Sequence, residues 1–201
     1  MSISRNRSTQ LLLTLVAAGC GGADSSPTVD GSTQGAGPGA SLACESSGKN
    51  AFETYGANAF VGVTKKILAG ATAEITNNST ANLGDSFTKI GSGTPASTAD
   101  GATKFEGKLA AFLVYAYGGP SDTTYSDGVT YHGPQDLAAA HTGLAITSAQ
   151  YDYFITSIVV PALTMTGVAH GAGGAAAPND ITTCFAPLVT DAAFKASIVG
   201  Q

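Results

Sequence analysis

The sequence predicts an all-α domain carried behind an export signal and a flexible tether. Three observations carry that expectation. Apolar residues recur at three- and four-residue spacings in several stretches; glycine, proline and N-cap residues punctuate those stretches; and no stretch shows convincing period-2 alternation. The chain has a net charge of −5 with 11% charged residues and no basic stripe, which argues against a nucleic-acid partner. Its 26 glycines follow no G-X-Y period, so it is not collagen-like.

The N-terminal segment is an address. Arg5 and Arg7 precede the apolar run Leu11 to Ala18, which is too short to span a bilayer and has the flanks of a signal peptide. Ala17, Ala18 and Gly19 then precede Cys20. This pattern resembles the lipobox of bacterial lipoproteins and implies cleavage before Cys20, lipidation of its thiol and anchoring to the membrane of the cell envelope. The alternative is an ordinary secretory signal with an incidental cysteine. Residues 1–19 are thus read as signal peptide, 20–48 as a Gly/Ser-rich tether and 49–201 as the folded domain. An exported chain meets an oxidising compartment, so Cys44 and Cys184 are expected to form a disulfide; two free thiols are the alternative. No CxxC or CxxCH pattern occurs, which excludes a thioredoxin-type site and covalent haem attachment.

In chain order, residues 50–71 have a helical period through Ala59, Phe60, Val63, Ile67 and Leu68, with Gly56 interrupting it, so a short helix, a bend and a longer helix are expected. Residues 77–100 are mostly turn formers, with Leu83, Phe87 and Ile90 dipping into the core. Residues 103–117 form a helix whose stripe is Phe105, Leu109, Phe112, Leu113 and Ala116, ended by Gly118-Gly119-Pro120. A polar loop with Tyr125, Tyr131 and His132 follows, and Pro134 is placed to open a short helix to about His141. Thr147-Ser148-Ala149-Gln150 reads as a capping box. The helix behind it carries Tyr151, Phe154, Ile155, Ile158, Val159, Ala162 and Leu163, and Pro161 is expected to kink it. After a Gly-rich loop, Asp180 is expected to cap a last helix bearing Ile181, Cys184, Phe185, Leu188 and Val189.

Residues 104–166 organise the domain. Two amphipathic helices flank a Gly/Pro/Tyr-rich connection, and His141 stands just before the second. This reads as a pocket for a flat apolar cofactor with His141 as its axial ligand. His132 and His170 read as solvated loop residues, and no HxxxH spacing supports a three-histidine metal site. No Ser/His/Asp arrangement, Walker loop or paired-carboxylate motif stands out, so hydrolase and kinase chemistry have no support.

The stretch 104–166 resembles the group I truncated haemoglobins. KFEGKLAAFLVYAYGGP at 104–120 is similar to that family's distal helix, Tyr131 with Gly133 to its Tyr-x-Gly loop, and LAAAHTGLAIT at 137–147 to its proximal segment. Ala145 stands where a glycine is usual. NAFETYGA at 50–57 is similar to the opening helix and its Gly-Gly bend, with Ala57 for the second glycine. The resemblance implies a truncated globin-like 2-on-2 helical sandwich holding non-covalent haem b, with His141 on the iron. It implies Phe105 and Leu109 over the distal face, Lys108 at a propionate, and Tyr151, Phe154 and Ile158 beneath the haem behind His141. Phe87 is the candidate aromatic wedge on the other side. The family's donors to a bound gas fall near Leu68 or Ala69 and on Leu109, none of which can donate, so oxygen storage is not expected and a diatomic gas such as NO or CO suits the pocket better. A binding protein is expected rather than an enzyme, with NO- or O2-linked haem redox chemistry as the enzymatic variant. The competing reading is a haemless globin-like lipoprotein serving as a binding or structural module of the envelope.

Overall fold

The structure, a computed structural model, describes residues 37–77, 81–95, 101–124, 128–134, 136–165 and 175–201, with backbone only for 101–103. The signal-like segment, Cys20, most of the tether, Tyr125 and His170 lie outside the described residues. These are mostly helical, as the apolar periodicity implied. None of their helices is long and apolar enough to cross a membrane.

Helix α1 spans Ala51–Thr76. Its start is a reciprocal cap: the Asn50 side chain accepts from Glu53 N at 2.8 Å, and the Glu53 carboxylate accepts from Asn50 N at 3.2 Å. Gly56 breaks it with φ 75°, a conformation in which a Cβ is strained, so the expected bend is present. The helix continues past the expected end at 71 because Thr72 to Thr76 still suit a helix; Asn77 closes it. Its buried face holds Phe60, Val63, Thr64, Ile67 and Ala71.

The stretch read as turns contains a helix, α2, Gly84–Ser92. Its residues are individually poor helix formers, but burying Leu83, Phe87 and Ile90 on one face outweighs that weak preference. Gly93, in the left-handed region, ends it. Helix α3, Gly101–Ala116, packs against both α1 and α2. Gly118, at φ 101°, turns the chain out of α3.

The expectation of no strand is corrected by a short antiparallel ribbon, β1 (Asp122–Thr124) and β2 (Thr130–His132), with Asp122 opposite His132 and Thr123 opposite Tyr131. Three-residue strands are too short to show an alternation in the sequence. The Tyr131 ring lies over Gly107 of α3, where an added Cβ would overlap it. Gly107→Ala is therefore expected to cost about 1–3 kcal/mol by overpacking, read as a lowered urea midpoint, whereas Gly91→Ala, which meets open space, should not destabilise.

Helix α4 is Leu137–His141, opened by the Asp136 side chain accepting from Ala139 N at 2.9 Å rather than by Pro134. The capping box at Thr147 and Gln150 is formed, and α5 (Ser148–Phe154) runs into a π-helical turn, Ile155–Val159, then α6 (Val160–Thr164). The sequence suggested a kink at Pro161. The helix instead widens just before it: Val160 N donates to Ile155 O, five residues back, immediately ahead of a proline that has no N–H. The last helical stretch repeats the device. It runs through α7 (Pro178–Asp180), a π turn (Ile181–Phe185) and α8 (Ala186–Val189), with Ala186 N donating to Ile181 O just before Pro187. Helix α9, Ala192–Ala196, follows.

The placing of the tether's end at 48 is corrected. Residues 37–48 pack on the domain: Gly39 N donates to Ala116 O at 2.7 Å, and Cys44, buried, is bonded to Cys184. Gly37 and Gly39 let this segment approach the end of α3, since a Cβ on either would overlap its backbone. Nor does Asp180 cap a helix. It lies inside the helical stretch, buried, and accepts from Ser46 N at 3.0 Å, the Ser46 hydroxyl and the Tyr55 hydroxyl at 2.6 Å. Burial raises its pKa, but the hydrogen bonds from Ser46 and Tyr55 outweigh it and hold the carboxyl below its ordinary value. A depressed folded pKa means this stabilisation is present above the ordinary carboxylate pKa near 3.9 and is lost as pH falls through the lower folded value. Urea midpoints recorded from pH 6 downward should show that acid-side loss in the native chain and a smaller one in Asp180→Asn.

Candidate functional site: an apolar cavity with a histidine in its wall

A cavity of about 650 Å³ opens between α1, α2, α3, the ribbon, α4 and α5. Ligand pockets of roughly 300–1,000 Å³ are typical for small molecules and cofactors, so it is large enough for either. Helix α1 contributes Phe60, Val63 and Ile67, and α2 contributes Phe87 and Ile90. These positions follow the three- and four-residue spacing of one helical face. Helix α3 adds Phe105, Lys108, Leu109 and Phe112. Phe87 and Phe105 meet edge to face with centroids 5.9 Å apart, so α2 and α3 share one aromatic wall.

His141 ends α4 and lines the cavity. Its Nδ1 is 2.8 Å from Leu137 O. A carbonyl can only accept, so Nδ1 carries the proton and Nε2 holds the lone pair of the neutral ring. Burial holds the pKa of His141 below its ordinary value, against the opposing pull of the Leu137 hydrogen bond, which keeps the ring neutral at pH 7. The side chain is thus a fixed neutral nitrogen base in a largely apolar wall.

The segment behind His141 is held from several sides. Lys89 Nζ donates to Gly143 O at 3.1 Å and to Leu144 O at 2.9 Å, tying α2 to it. Gln150 Nε2 donates to Asn82 O at 2.9 Å, tying the start of α5 to the start of α2. Ala145 has φ 54°, a left-handed conformation in a residue with a Cβ, and its N–H donates to Gln201 O at 2.8 Å. Left-handed backbone costs such a residue about 1–2 kcal/mol, and glycine gives back part of that through a floppier unfolded chain. Ala145→Gly is expected to stabilise by about 0.5 kcal/mol, measured by chemical denaturation.

Of the residues singled out in the sequence, His141, Phe105, Lys108, Leu109, Phe87, Tyr151 and Phe154 all line this cavity. Ile158 does not. It is buried elsewhere, against Gly70 of α1. The π turn explains the exchange: its extra residue per turn rotates the helix, so Ile155, Val159 and Leu163 carry on the cavity face in place of 158 and 162. Tyr151 is buried and donates to Val189 O at 2.7 Å; burial first, then the charges of Asp152 and Asp191, push its pKa up to about 12. His132 is not a loop residue but the end of β2, and its Nδ1 lies 2.6 Å from Asp122 Oδ1.

Sequence reading missed several walls. Tyr117 lines the deep end, stacked on Phe60 with centroids 5.8 Å apart, and its hydroxyl donates to Phe185 O at 3.2 Å. Phe194 and Ile198 close the side next to Ile146, with Phe194 stacked on Phe112. Their signal was a short apolar spacing near the C-terminus, in a segment with no regular pattern. On α1 the cavity meets Ile67 and Val63 rather than Leu68 or Ala69, and α2 adds the Ser86 hydroxyl beside Phe87 and Ile90. The chain matches no protein-family model, no curated protein and no solved structure.

Proposed function

We propose that the domain is a truncated-globin-like haem protein that binds a diatomic gas, with haem b held non-covalently in the cavity and His141 Nε2 as its axial ligand. The observation that carries this reading is the state of His141: Nδ1 is committed to Leu137 O, so a neutral Nε2 is available in an apolar cavity of about 650 Å³. A second hydrogen bond of that kind fixes the tautomer and orientation of metal-ligating histidines generally. The residues present fit the group. Phe87, Phe105, Tyr151 and Phe154 offer flat apolar walls, and Lys108, which also lines the cavity, would meet a carboxylate with its ammonium while its stem covers apolar surface. When bound, the haem iron supplies the open coordination position at which a gas is held.

The chain's own residues then orient the group and exclude water. Leu137 O keeps the imidazole ring in place, Lys89 and Gln150 fix the segment behind it, and Phe105 with Leu109 would cover the side of the group away from His141 without a donor. An apolar distal side favours CO or NO over stable oxygen storage. The arrangement of α1 and α3 with α5 and the last helical stretch is, on this reading, the 2-on-2 sandwich. Lipidation at Cys20 would hold the domain at the cell envelope through residues preceding 37. Adding haemin to the purified apoprotein tests the reading: a Soret band that saturates at one haem per chain is expected, and absence of any saturable spectral change would contradict it.

A further inference from the structure

One wall of the cavity is lightly held. Phe194 and Ile198 line it from residues 190–201, yet none of those residues is buried. The walls on α1, α2, α3 and α5 belong to helices that each bury side chains. The ribbon is seated on α3 by Tyr131 over Gly107, and the turn after α4 is held by Lys89. Helix α9 has five residues, against the roughly 12–15 a helix needs to persist alone, so it depends on what it docks against. Its fastenings are a ring stack, an ion pair and a backbone clip. Phe194 stacks on Phe112 with centroids 6.3 Å apart. Lys195 Nζ lies 2.6 Å from Asp152 Oδ1, where the Asp152 side chain is exposed, and 5.5 Å from the centroid of the Tyr151 ring. In the clip, Ala145 N donates to Gln201 O at 2.8 Å and Gly200 N donates to Ile146 O at 2.9 Å. The wall is thus fastened to the turn that follows His141.

We infer that residues 190–201 form a strap that releases from Ala145, Ile146 and Asp152 to admit the cavity's occupant and refastens over it. Asp191, extended between α8 and α9, is the hinge. An occupant touches Phe194 and Ile198 only in the fastened state, so it in turn holds the strap closed. Neither Lys195 nor Asp152 lines the cavity, so this latch acts on passage rather than on affinity. Such a strap serves any apolar occupant of that size, whether or not it is haem.

Amide hydrogen exchange and porphyrin kinetics on the full chain test it. In the empty protein the Ala145 and Gly200 amides should exchange at least roughly tenfold faster than those in the middle of α1 and α3, because they open locally and the long helices do not. Protection of the clip equal to that of α1 and α3 would overturn the inference. Metal-free protoporphyrin IX should slow both amides together, since binding to the fastened state suppresses opening. Its entry and escape rates are then read by stopped-flow fluorescence. An exposed ion pair contributes little, so Lys195→Met and Asp152→Asn should each raise both rates by the same factor, roughly threefold, and leave Kd unchanged. The double variant should go no further than either single one. A faster escape alone would make the segment an ordinary wall, and unchanged rates would mean that the porphyrin passes elsewhere; either result contradicts the strap. If the strap behaves as expected while haemin gives no Soret band, the haem reading fails alone; a Soret band with a fully protected clip sinks only the strap.

Discussion

Replacing His141 by alanine is expected to weaken haem binding at least about a hundredfold while leaving the apoprotein folded. Loss of a residue that merely supports a metal ligand costs 10- to 100-fold in metal affinity, so loss of the ligand itself should cost no less. The effect on the fold is small for a stated reason. His141 is half-buried at the end of a five-residue helix, and its Nδ1 is hydrogen-bonded to Leu137 O. Removing that bond costs about 1 kcal/mol, or roughly 2–4 °C in Tm for a domain of this size. The two quantities are separable: haemin titration reads the first, and thermal melting of the apoprotein reads the second. A variant that melts like the native chain and binds haemin equally well would remove His141 from the site.

The second large effect is structural. Replacing both Cys44 and Cys184 by serine is expected to destabilise the domain by about 5 kcal/mol, the chain-entropy value for a closed loop of 140 residues. The bond ties residues 37–48 to the last helical stretch beside buried Asp180, which accepts from Ser46 of the first segment and from Tyr55 of α1. Its loss therefore loosens that polar network as well. Urea unfolding of the double variant should show a large fall in midpoint, and a change within 1 kcal/mol would mean that packing alone holds the segment in place.

The parts of this molecule that the sequence foretold are those set by local rules. Asn50 with Glu53 and Thr147 with Gln150 are caps whose partners lie three residues away, so the pattern and the structure are nearly the same information. The stripe on α3 placed Phe105, Leu109 and Phe112 together because helical spacing leaves little freedom. What escaped was set by tertiary packing. Helix α2 is assembled from Gly84, Asp85, Ser86 and Thr88, residues that favour turns, and is helical because Phe87 and Ile90 are buried against α3 and the cavity. Ile158 was assigned to the site by the family resemblance; the helical period had put it on one face with Ile155 and Val159, and the π turn leaves Ile155 and Val159 on the cavity and turns Ile158 away. The expected Cys44–Cys184 bond is formed, but residues 37–48 still looked like a tether because polar, Gly-rich composition says nothing of the close approach that Gly37 and Gly39 permit.

The central claim is that His141 Nε2 is the axial ligand of a haem in this cavity, and imidazole rescue tests it most directly. His141→Gly leaves a gap where the ring stood, and free imidazole can enter it. The haemin-loaded variant should lack the native Soret spectrum and regain it as imidazole is added, saturating at one site. A His141→Gly protein whose haemin spectrum already matches the native one without imidazole would contradict the account.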